Sequence, residues 1–149
     1  MIPTTCDEIL EKIRAAEPLG GALIRDLDLR ERDLKGGDFH GAVFQDVRLD
    51  RANLRQARLS ECVFINVSLS GTELAEADLT QATFENSDLS GARLVGARLA
   101  GLSLAETKMA GLDLSGTDWT DSALENADLR KAVLDGARFE RTTLSGVKL

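Results

Sequence analysis

A period of five residues, unbroken from Ile24 to Leu149, constrains this chain more than any other feature. Every fifth position is large and apolar, 26 times in succession. Two residues before each of these lies a second column, which is mostly alanine or another small side chain. Neither the 3.6-residue period of a helix nor the two-residue period of a strand holds these columns on one face. A chain that bends once in every unit can turn both columns towards one interior.

The residue two places after each large one is suited to such a bend. It is glycine at ten of its 25 occurrences and asparagine at Asn66, Asn86 and Asn126. These residue types adopt positive φ in turns at low steric cost. Each unit is therefore predicted to be a short extended side followed by a corner.

The segments Ala52-Asn53-Leu54, Ala77-Asp78-Leu79 and Ala127-Asp128-Leu129 carry the pattern A(D/N)LXX, and residues 22–149 resemble the pentapeptide-repeat family. The resemblance implies an all-β solenoid: a right-handed quadrilateral parallel β-helix with four pentapeptides per coil and about six coils. It also implies candidate functions, since some members resemble duplex DNA in size, shape and charge. Those members bind type II topoisomerases and inhibit gyrase or shield it from quinolones.

Stacking the sequence in rows of four units supports the square cross-section from the residues themselves. Phe44, Phe64 and Phe84 fall into one stack. The outward residue of the fourth side alternates in charge from coil to coil: Asp38, Arg58, Asp78, Arg98, Asp118, Arg138. A second row, from Asp28 to Lys148, nearly repeats this alternation. With coils ~4.8 Å apart, opposite charges at neighbouring positions favour the pairing.

The segment 1–21 lies outside the repeat and is predicted to form a cap and a linker, with the repeat region at 22–149. The segment from Thr5 to Glu8 matches a capping box, and Pro18 ends the helical pattern. A helix over roughly residues 6–17 would place Ile9, Leu10 and Ile13 over the open first coil. Solenoids need such a cap.

Irregular residues interrupt the small column in the first coil and near Trp119. Arg32 and Gly37 interrupt it in the first coil, where Arg32 is expected to lean towards the acidic helix. Leu102 and Leu112 are too large for the column and lie near Trp119. We expect a local swelling of the coil there, with Trp119 packed in the core.

Little in the sequence could support catalysis. His40, the single histidine, falls on an outer corner, Cys62 takes an inward position, and Cys6 falls in the first helical turn. The glycines follow the corner period rather than a phosphate-binding G-x-G-x-x-G spacing. The prediction is a protein that is not an enzyme and binds no cofactor or metal.

Charge and composition narrow the choice of partners and compartment. The net charge of -7 disfavours direct binding to nucleic acid or to an anionic membrane surface. Two cysteines are too few for a disulfide framework, and no apolar run approaches 18 residues. The amino terminus lacks the layout of a signal peptide. We therefore expect a cytoplasmic protein with another protein as its partner.

One side of the predicted rod differs from the others in its outward residues. In the row before the large column it carries no charge, from Leu23 and Val43 to Thr143, and acidic residues border it. An apolar strip with a polar border is typical of a protein-binding surface. The alternative interpretation is that β-branched residues simply suit a β-ladder. The predicted partner-binding residues of this side are Val43, Val63, Ile65, Asp46, Glu85, Glu106 and Glu125.

Two other functions stay open beside this interaction module. Residues 73–128 hold 11 acidic and 3 basic residues, a net charge of -8. Over ~13 Å of rod this matches the charge density of duplex DNA, about 8 charges. Residues 22–72 are neutral and residues 129–149 have a net charge of +3, so the DNA-like density is confined to one band. The third alternative is a structural adaptor or spacer in a larger assembly.

The repeat runs in phase to the last residue, which leaves a final apolar layer. An uncovered layer with unpaired backbone invites pairing with a second molecule. A homodimer at this end is one interpretation, and a cap lying outside this sequence is the other. The five basic residues of 129–149, against two acidic ones, oppose simple end-to-end pairing. The residues of this possible dimer end are Leu134, Phe139, Leu144, Val147 and Leu149.

Overall fold

Seven short strands recur once in every four units in the computed structural model, which describes all of residues 1–149. Helix α1 spans Cys6–Arg14. The strands are β1 (Leu23–Arg25), β2 (Val43–Gln45), β3 (Val63–Ile65), β4 (Thr83–Glu85), β5 (Ser103–Ala105), β6 (Ala123–Glu125) and β7 (Thr143–Ser145). They form one parallel sheet in chain order, so the predicted β-solenoid of about six turns is confirmed.

The register between coils is one full turn of four units on every side. Ile24 pairs with Phe44 in the sheet, which forms side one. Isolated parallel bridges define the other sides: Asp28 with Arg48 on side two, Asp33 with Asn53 on side three and Asp38 with Arg58 on side four. We number the coils from residue 22, so that coil 1 is residues 22–41 and coil 5 is residues 102–121.

The interior is filled by the large and small columns. The ring centroids of Phe44 and Phe64 lie 4.9 Å apart, and those of Phe64 and Phe84 lie 4.5 Å apart, which confirms the predicted stack. The packing starts one unit before Ile24, because Leu19 is fully buried and its N–H donates to the carbonyl of Asp38. The division of the chain at residue 22 stays a prediction.

All 25 predicted corner residues have a positive φ, between 49° and 73°. Fifteen of them are not glycine, although a left-handed backbone costs such residues about 1 kcal/mol or more. Most corners after sides two, three and four close with a turn, as where the N–H of Ala52 donates to the carbonyl of Leu49 at 2.9 Å. A positive φ at the third residue of such a turn gives it type II geometry.

The predicted swelling near Leu102 and Leu112 is present as an opening in the wall between coils 4 and 5. In coils 1–3 and 5, each large residue of sides three and four donates its N–H to the next coil, as Leu74 does to Arg93 at 2.8 Å. Between residues 91–99 and 110–118, which we call the seam, no backbone hydrogen bond joins the coils. The amides left without a backbone acceptor are those of Gly91, Leu94, Gly96, Leu99, Asp113 and Asp118.

The seam opens two sides of the rod only. On side one β4 and β5 stay paired, and on side two the N–H of Leu89 donates to Lys108 at 2.8 Å. The opening coincides with large side chains in coil 5: Leu102 and Leu112 are buried at positions where most other coils hold alanine or another small residue, and Trp119 of the same coil is fully buried. A surface depression of about 370 Å³ covers the seam, lined in part by Gly96 and Gly116.

Ser122 bridges the turn at the end of the seam. The turn from Leu99 to Leu102 lacks its own hydrogen bond, unlike the equivalent turns of coils 1–3. Instead the Ser122 hydroxyl accepts from the Leu102 N–H at 3.0 Å and donates to the Leu99 carbonyl at 3.4 Å. A side chain from the next coil thus pairs buried backbone groups that the swelling separates.

The capping box of α1 is confirmed. The Thr5 hydroxyl accepts the N–H of Glu8 at 3.2 Å, and the Glu8 carboxylate accepts the N–H of Thr5 at 3.4 Å. Ile9 is fully buried, while Leu10 and Ile13 pack partly buried against the core, as expected of a cap.

The predicted end of the helix is wrong, because α1 ends at Arg14 rather than near residue 17. Ala16 has a φ of 53°, its N–H donates to Ile13, and the N–H of Glu17 donates to Lys12 at 2.8 Å. This is a Schellman motif, which usually carries glycine at the position of Ala16. Since that glycine is missing, no residue type in the segment signals the earlier stop.

The two irregular residues of coil 1 have different explanations. Arg32 lies beside α1, as expected, but it forms no ion pair with the acidic helix residues; Glu17 pairs with Lys12 at 2.9 Å. Gly37 is buried, and a Cβ there would lie 2.5 Å from Cε2 of Phe39. The ring of Phe39 occupies the space that alanine fills in other coils.

Candidate protein-binding surface

Side one consists of residues 23–26 and the equivalent residues of each later coil. The strands turn their central residue inward, as Phe64 in β3, and the flanking residues outward. Val43 and Val63 are register partners, as are Ile65 and Glu85. Glu125 follows in β6, while Asp46 and Glu106 take the corner position directly after a strand. The structure thus brings all seven predicted residues onto one surface.

The partly exposed apolar residues of side one lie in coils 1–3, which we call its apolar half, although Arg25, Asp26 and Asp46 are exposed there as well; we call coils 4–6 its acidic half. Leu23, Val43, Val63 and Ile65 in coils 1–3 are partly exposed. Coils 4–6 contribute the exposed side chains of Glu85, Glu106 and Glu125, with Thr83, Ser103 and Ala123 between them.

The apolar half extends beyond the repeat. Met1 and Ile2 are 60% and 57% exposed, and the Met1 carbonyl accepts the N–H of Leu23 at 3.0 Å. Met1 therefore lies at the edge of β1 that no other strand pairs with. The sequence analysis missed both residues because they precede the repeat and carry no periodic signal.

No ion pair of the structure includes a residue of side one, although sides two, three and four each hold at least one. The carboxylates of Glu85, Glu106 and Glu125 have no cationic group within 4.0 Å. The pairs are Lys12–Glu17, Arg30–Asp28, Arg51–Glu31, Arg58–Asp38, Arg93–Glu73, Arg98–Asp78, Lys108–Asp88, Arg130–Asp128, Arg138–Glu140 and Arg141–Asp121.

An amide ladder runs along the corner that follows side one. Nδ2 of Asn66 donates to Oδ1 of Asp46 at 3.0 Å, and Nδ2 of Asn86 donates to Oδ1 of Asn66 at 2.7 Å. The ladder stops at Glu106 in the next coil, because an ionised carboxylate has no donor to continue it. Asp46 is therefore held by the ladder, whereas the Glu106 side chain extends freely.

The alternating charges of side four pair as predicted in the first four coils and differently in the last. Arg58 contacts Asp38 at 2.8 Å, and Arg98 lies 3.6 Å from Asp78. Arg138 pairs with Glu140 at 2.8 Å rather than with Asp118.

On side two the end coils pair within a coil instead of between coils. Arg30 contacts Asp28 at 2.6 Å and Arg130 contacts Asp128 at 2.7 Å. The side-chain hydrogen bond from each arginine is the main reason that the pKa of both carboxyls is lowered to about 2. These carboxylates are already satisfied and offer little to a partner.

The groups that could support chemistry are scattered. His40 is exposed, and its Nδ1 lies 2.9 Å from the hydroxyl of Ser60. Cys62 is fully buried, and this burial raises the pKa of its thiol to about 12. No three His, Cys, Asp or Glu side chains come together where a metal ion could bind.

The depressions of the surface do not resemble small-molecule pockets. One of them, of about 520 Å³, lies on side two and is lined by charged and hydroxyl side chains with no hydrophobic residue. Small-molecule sites are lined mainly by apolar and aromatic side chains.

The last coil leaves its apolar layer open, as expected. Leu144 is 49% and Leu149 77% exposed, whereas Leu124, one coil before Leu144, is 1% exposed. Leu134, Phe139 and Val147 are partly buried. The N–H groups of this layer find no acceptor in a following coil.

These features define a solenoid of short repeats whose accessible groups all lie on its outside. Family models agree: one for pentapeptide repeats matches residues 22–60, and one for a pentapeptide repeat region matches residues 57–134. The chain belongs to the pentapeptide-repeat family. Solenoids of this family are in general non-enzymatic structural or interaction modules. No curated protein matches the chain in sequence, and no helix here is long and apolar enough to span a membrane.

Several solved protein structures are similar to this chain. HetL, involved in regulating heterocyst differentiation in the cyanobacterium Nostoc sp. strain PCC 7120, is 26% identical with a TM-score of 0.71, over 85% of this chain and 68% of HetL. A trypsin-treated variant of QnrB1, a plasmid-mediated fluoroquinolone resistance protein, is 20% identical with a TM-score of 0.58, over 86% of this chain and 63% of QnrB1. Rfr23 from the cyanobacterium Cyanothece 51142 is 18% identical with a TM-score of 0.51, over 95% and 93%.

Proposed function

We propose that this protein is a non-catalytic interaction module that presents side one to a partner protein. One observation carries the proposal: side one combines partly exposed apolar residues with carboxylates that have no cationic partner in the chain. On every other side, ion pairs within the chain neutralise part of the charge. A partner that carries basic groups gains new contacts on side one without displacing any existing ones.

The first test uses a single charge placed in the apolar half of side one. Val63→Lys should abolish capture of the partner from a lysate, because an ammonium group would have to be desolvated against the apolar strip. The matched control is Val95→Lys, since Val95 is 76% exposed on side three. Circular dichroism should show both variants folded. Equal capture by the two variants would contradict side one and favour a spacer role.

No cofactor or metal takes part in this function, and we place the protein in the cytoplasm. Both cysteines are free, which suits a reducing compartment. Fractionation of source cells with an antibody to this chain tests the placement, and recovery in a membrane or secreted fraction would contradict it.

A second candidate function is that of a DNA mimic that binds gyrase or another type II topoisomerase. The charge of -8 over residues 73–128 favours it, since this equals the charge of about 13 Å of duplex DNA. Two ion pairs count against it, because they bring positive charge from outside this band: Arg141 pairs with Asp121 and Arg130 with Asp128. If the candidate is right, micromolar protein inhibits gyrase supercoiling or protects it from a quinolone. Supercoiling unchanged in both assays would exclude it.

We also propose that the last coil mediates a homodimer. An open apolar layer with unpaired amides is a surface for a second copy. Leu144→Glu should convert a dimer into a monomer in light scattering, whereas Ser145→Glu, at the next position on the outer face, should not. A wild-type chain that stays monomeric up to millimolar concentration would rule the dimer out.

A further inference from the structure

We propose that the partner docks on side one through a single amphipathic α-helix that runs along the rod, with apolar side chains over coils 1–3 and lysine or arginine over coils 4–6. The inference rests on the proposed function, because it specifies what side one binds. It is carried by the dimensions of side one, by the division of its residues, and by the absence of ion pairs there.

A partner that lies along the face of side one cannot join it as an additional strand, because unpaired strand edges occur only at the two ends of the sheet, at β1 and β7. Each inner strand is already hydrogen-bonded to the coils before and after it, as β3 is to β2 and β4. Strand addition requires a free edge, and the face of a sheet offers side chains only. The contact must therefore be made between side chains.

The width of side one fits one helix. A strand of three residues spans ~10 Å, and an α-helix with its side chains is about 10–12 Å across. A second helix or a broad flat surface would extend past the corners, where the chain turns away. The fit thus favours one helix parallel to the rod axis.

The length of side one and the spacing of its carboxylates predict a residue pattern. From Leu23 to Glu125 there are five steps between coils, ~24 Å in all, which a helix covers with about 16 residues. Glu85 and Glu125 lie two coils apart, ~10 Å, which matches positions i and i+7 of a helix. Glu106 falls between them, opposite i+3 or i+4. The other half of the helix should carry apolar residues at the same spacing, to cover Val43, Val63 and Ile65.

The coil repeat and the helix turn stay in phase over this length. A coil rises ~4.8 Å and a helical turn 5.4 Å, so the two drift apart by only ~1 Å over the two coil steps of the acidic half. Lysine and arginine side chains are long enough to absorb that difference.

A peptide-display selection tests the proposal. Immobilised full-length protein is used to select from a random library of peptides about 20 residues long, enough for the helix that side one accommodates, and the enriched peptides are synthesised. We expect amphipathic sequences with basic residues at i, i+3 or i+4, and i+7 on one half and apolar residues on the other. They should become helical on binding, as measured by circular dichroism.

Two triple variants with equal charge changes locate the site. Glu85→Gln, Glu106→Gln and Glu125→Gln together should weaken peptide binding about tenfold, since exposed ion pairs each contribute modestly. The control is Glu76→Gln, Asp113→Asn and Asp118→Asn, which removes three carboxylates without an ion pair from sides three and four and should leave affinity within twofold. The loss should shrink as salt is raised.

The outcomes separate this inference from the proposed function. If selection yields no binders, or acidic, uncharged or non-helical ones, the helix proposal is overturned. If the acidic, uncharged or non-helical peptides bind the Val63→Lys variant more weakly than the wild type, side one remains a binding surface, but for a different ligand. Helical basic peptides that bind equally to both triple variants overturn the placement on side one as well.

Discussion

Replacing Ser122 by alanine tests the structure against its own repeat pattern. Alanine is the commonest residue of the small column, so the pattern alone predicts a neutral or stabilising change. In the structure, however, the Ser122 hydroxyl bonds the N–H of Leu102 and the carbonyl of Leu99 where the swollen turn leaves them unpaired. We therefore expect Ser122→Ala to destabilise the protein.

The magnitude follows from the burial of these groups. Leu102 is 3% and Leu99 is 1% exposed, so water cannot readily replace the hydroxyl. A buried backbone group without a partner costs about 1–3 kcal/mol. Most of the loss comes from the Leu102 N–H, whose bond is the shorter of the two, which gives about 2 kcal/mol. For a chain of this size the Tm should fall by roughly 6 °C.

The assay is urea and thermal unfolding followed by far-ultraviolet circular dichroism, with Cys62→Ala as the control. Cys62 takes the same position three coils earlier, and its thiol donates to the carbonyl of Phe39. That carbonyl also accepts the N–H of Ala42, so the control leaves no backbone group unpaired and should cost about 1 kcal/mol. If Ser122→Ala is no less stable than Cys62→Ala, the bridging role of the hydroxyl is refuted.

Three further predictions concern the seam, the helix end and acid stability. In hydrogen exchange the amide of Leu94 should exchange much faster than that of Leu74, its bonded equivalent one coil earlier; equal protection would mean that the seam is closed in solution. Ala16→Gly should stabilise the protein by about 1 kcal/mol, because glycine suits its left-handed backbone; a lower urea midpoint would contradict the Schellman geometry. Since the folded pKa of Asp128 is lowered to about 2, this carboxylate contributes stability above its unfolded pKa and loses it as the pH falls towards 2. Asp128→Asn should therefore reduce the loss of stability between pH 4 and pH 2. If the variant loses as much stability over this range as the wild type, the result would count against the ion pair with Arg130.

The architecture could be predicted because each level of the sequence pattern has one geometric solution. The period of one unit placed the corners, and the period of four units placed Phe44, Phe64 and Phe84 in one stack. The seam could be foreseen only as a swelling near Leu102 and Leu112. Which two sides open depends on how these side chains and Trp119 share the interior, and this is a property of three-dimensional packing.

The candidate site was predictable in its positions and not in its electrostatics. Because the register between coils is 20 residues throughout, counting in steps of 20 along the sequence shows which residues share side one. The choice of ion-pair partner depends on side-chain conformation, as Arg138 shows. It pairs with Glu140 in the same coil, although Asp118 is its cross-coil neighbour. Only the structure therefore distinguishes paired carboxylates from the unpaired ones of side one.

Glu106 links the local structure of the corner to the proposed helix site. It has a φ of 50° in a row whose other members, from Asp26 to Gly146, are all aspartate, asparagine or glycine. Asparagine tolerates this backbone better, and its amide could extend the ladder from Asn86. Local stability therefore favours asparagine at this position, whereas a basic partner favours glutamate.

Glu106→Asn should accordingly raise the free energy of unfolding by about 0.5–1 kcal/mol and weaken binding of the basic helical peptides. Glu106→Gln is the matched control: it removes the same charge and should weaken binding equally, but without the gain in stability, because its longer side chain does not fit the ladder. Urea unfolding and peptide titration of both variants give the comparison. If Glu106→Asn is less stable than Glu106→Gln, the corner is not strained. Glu106 then carries no cost in stability for a role in binding to explain.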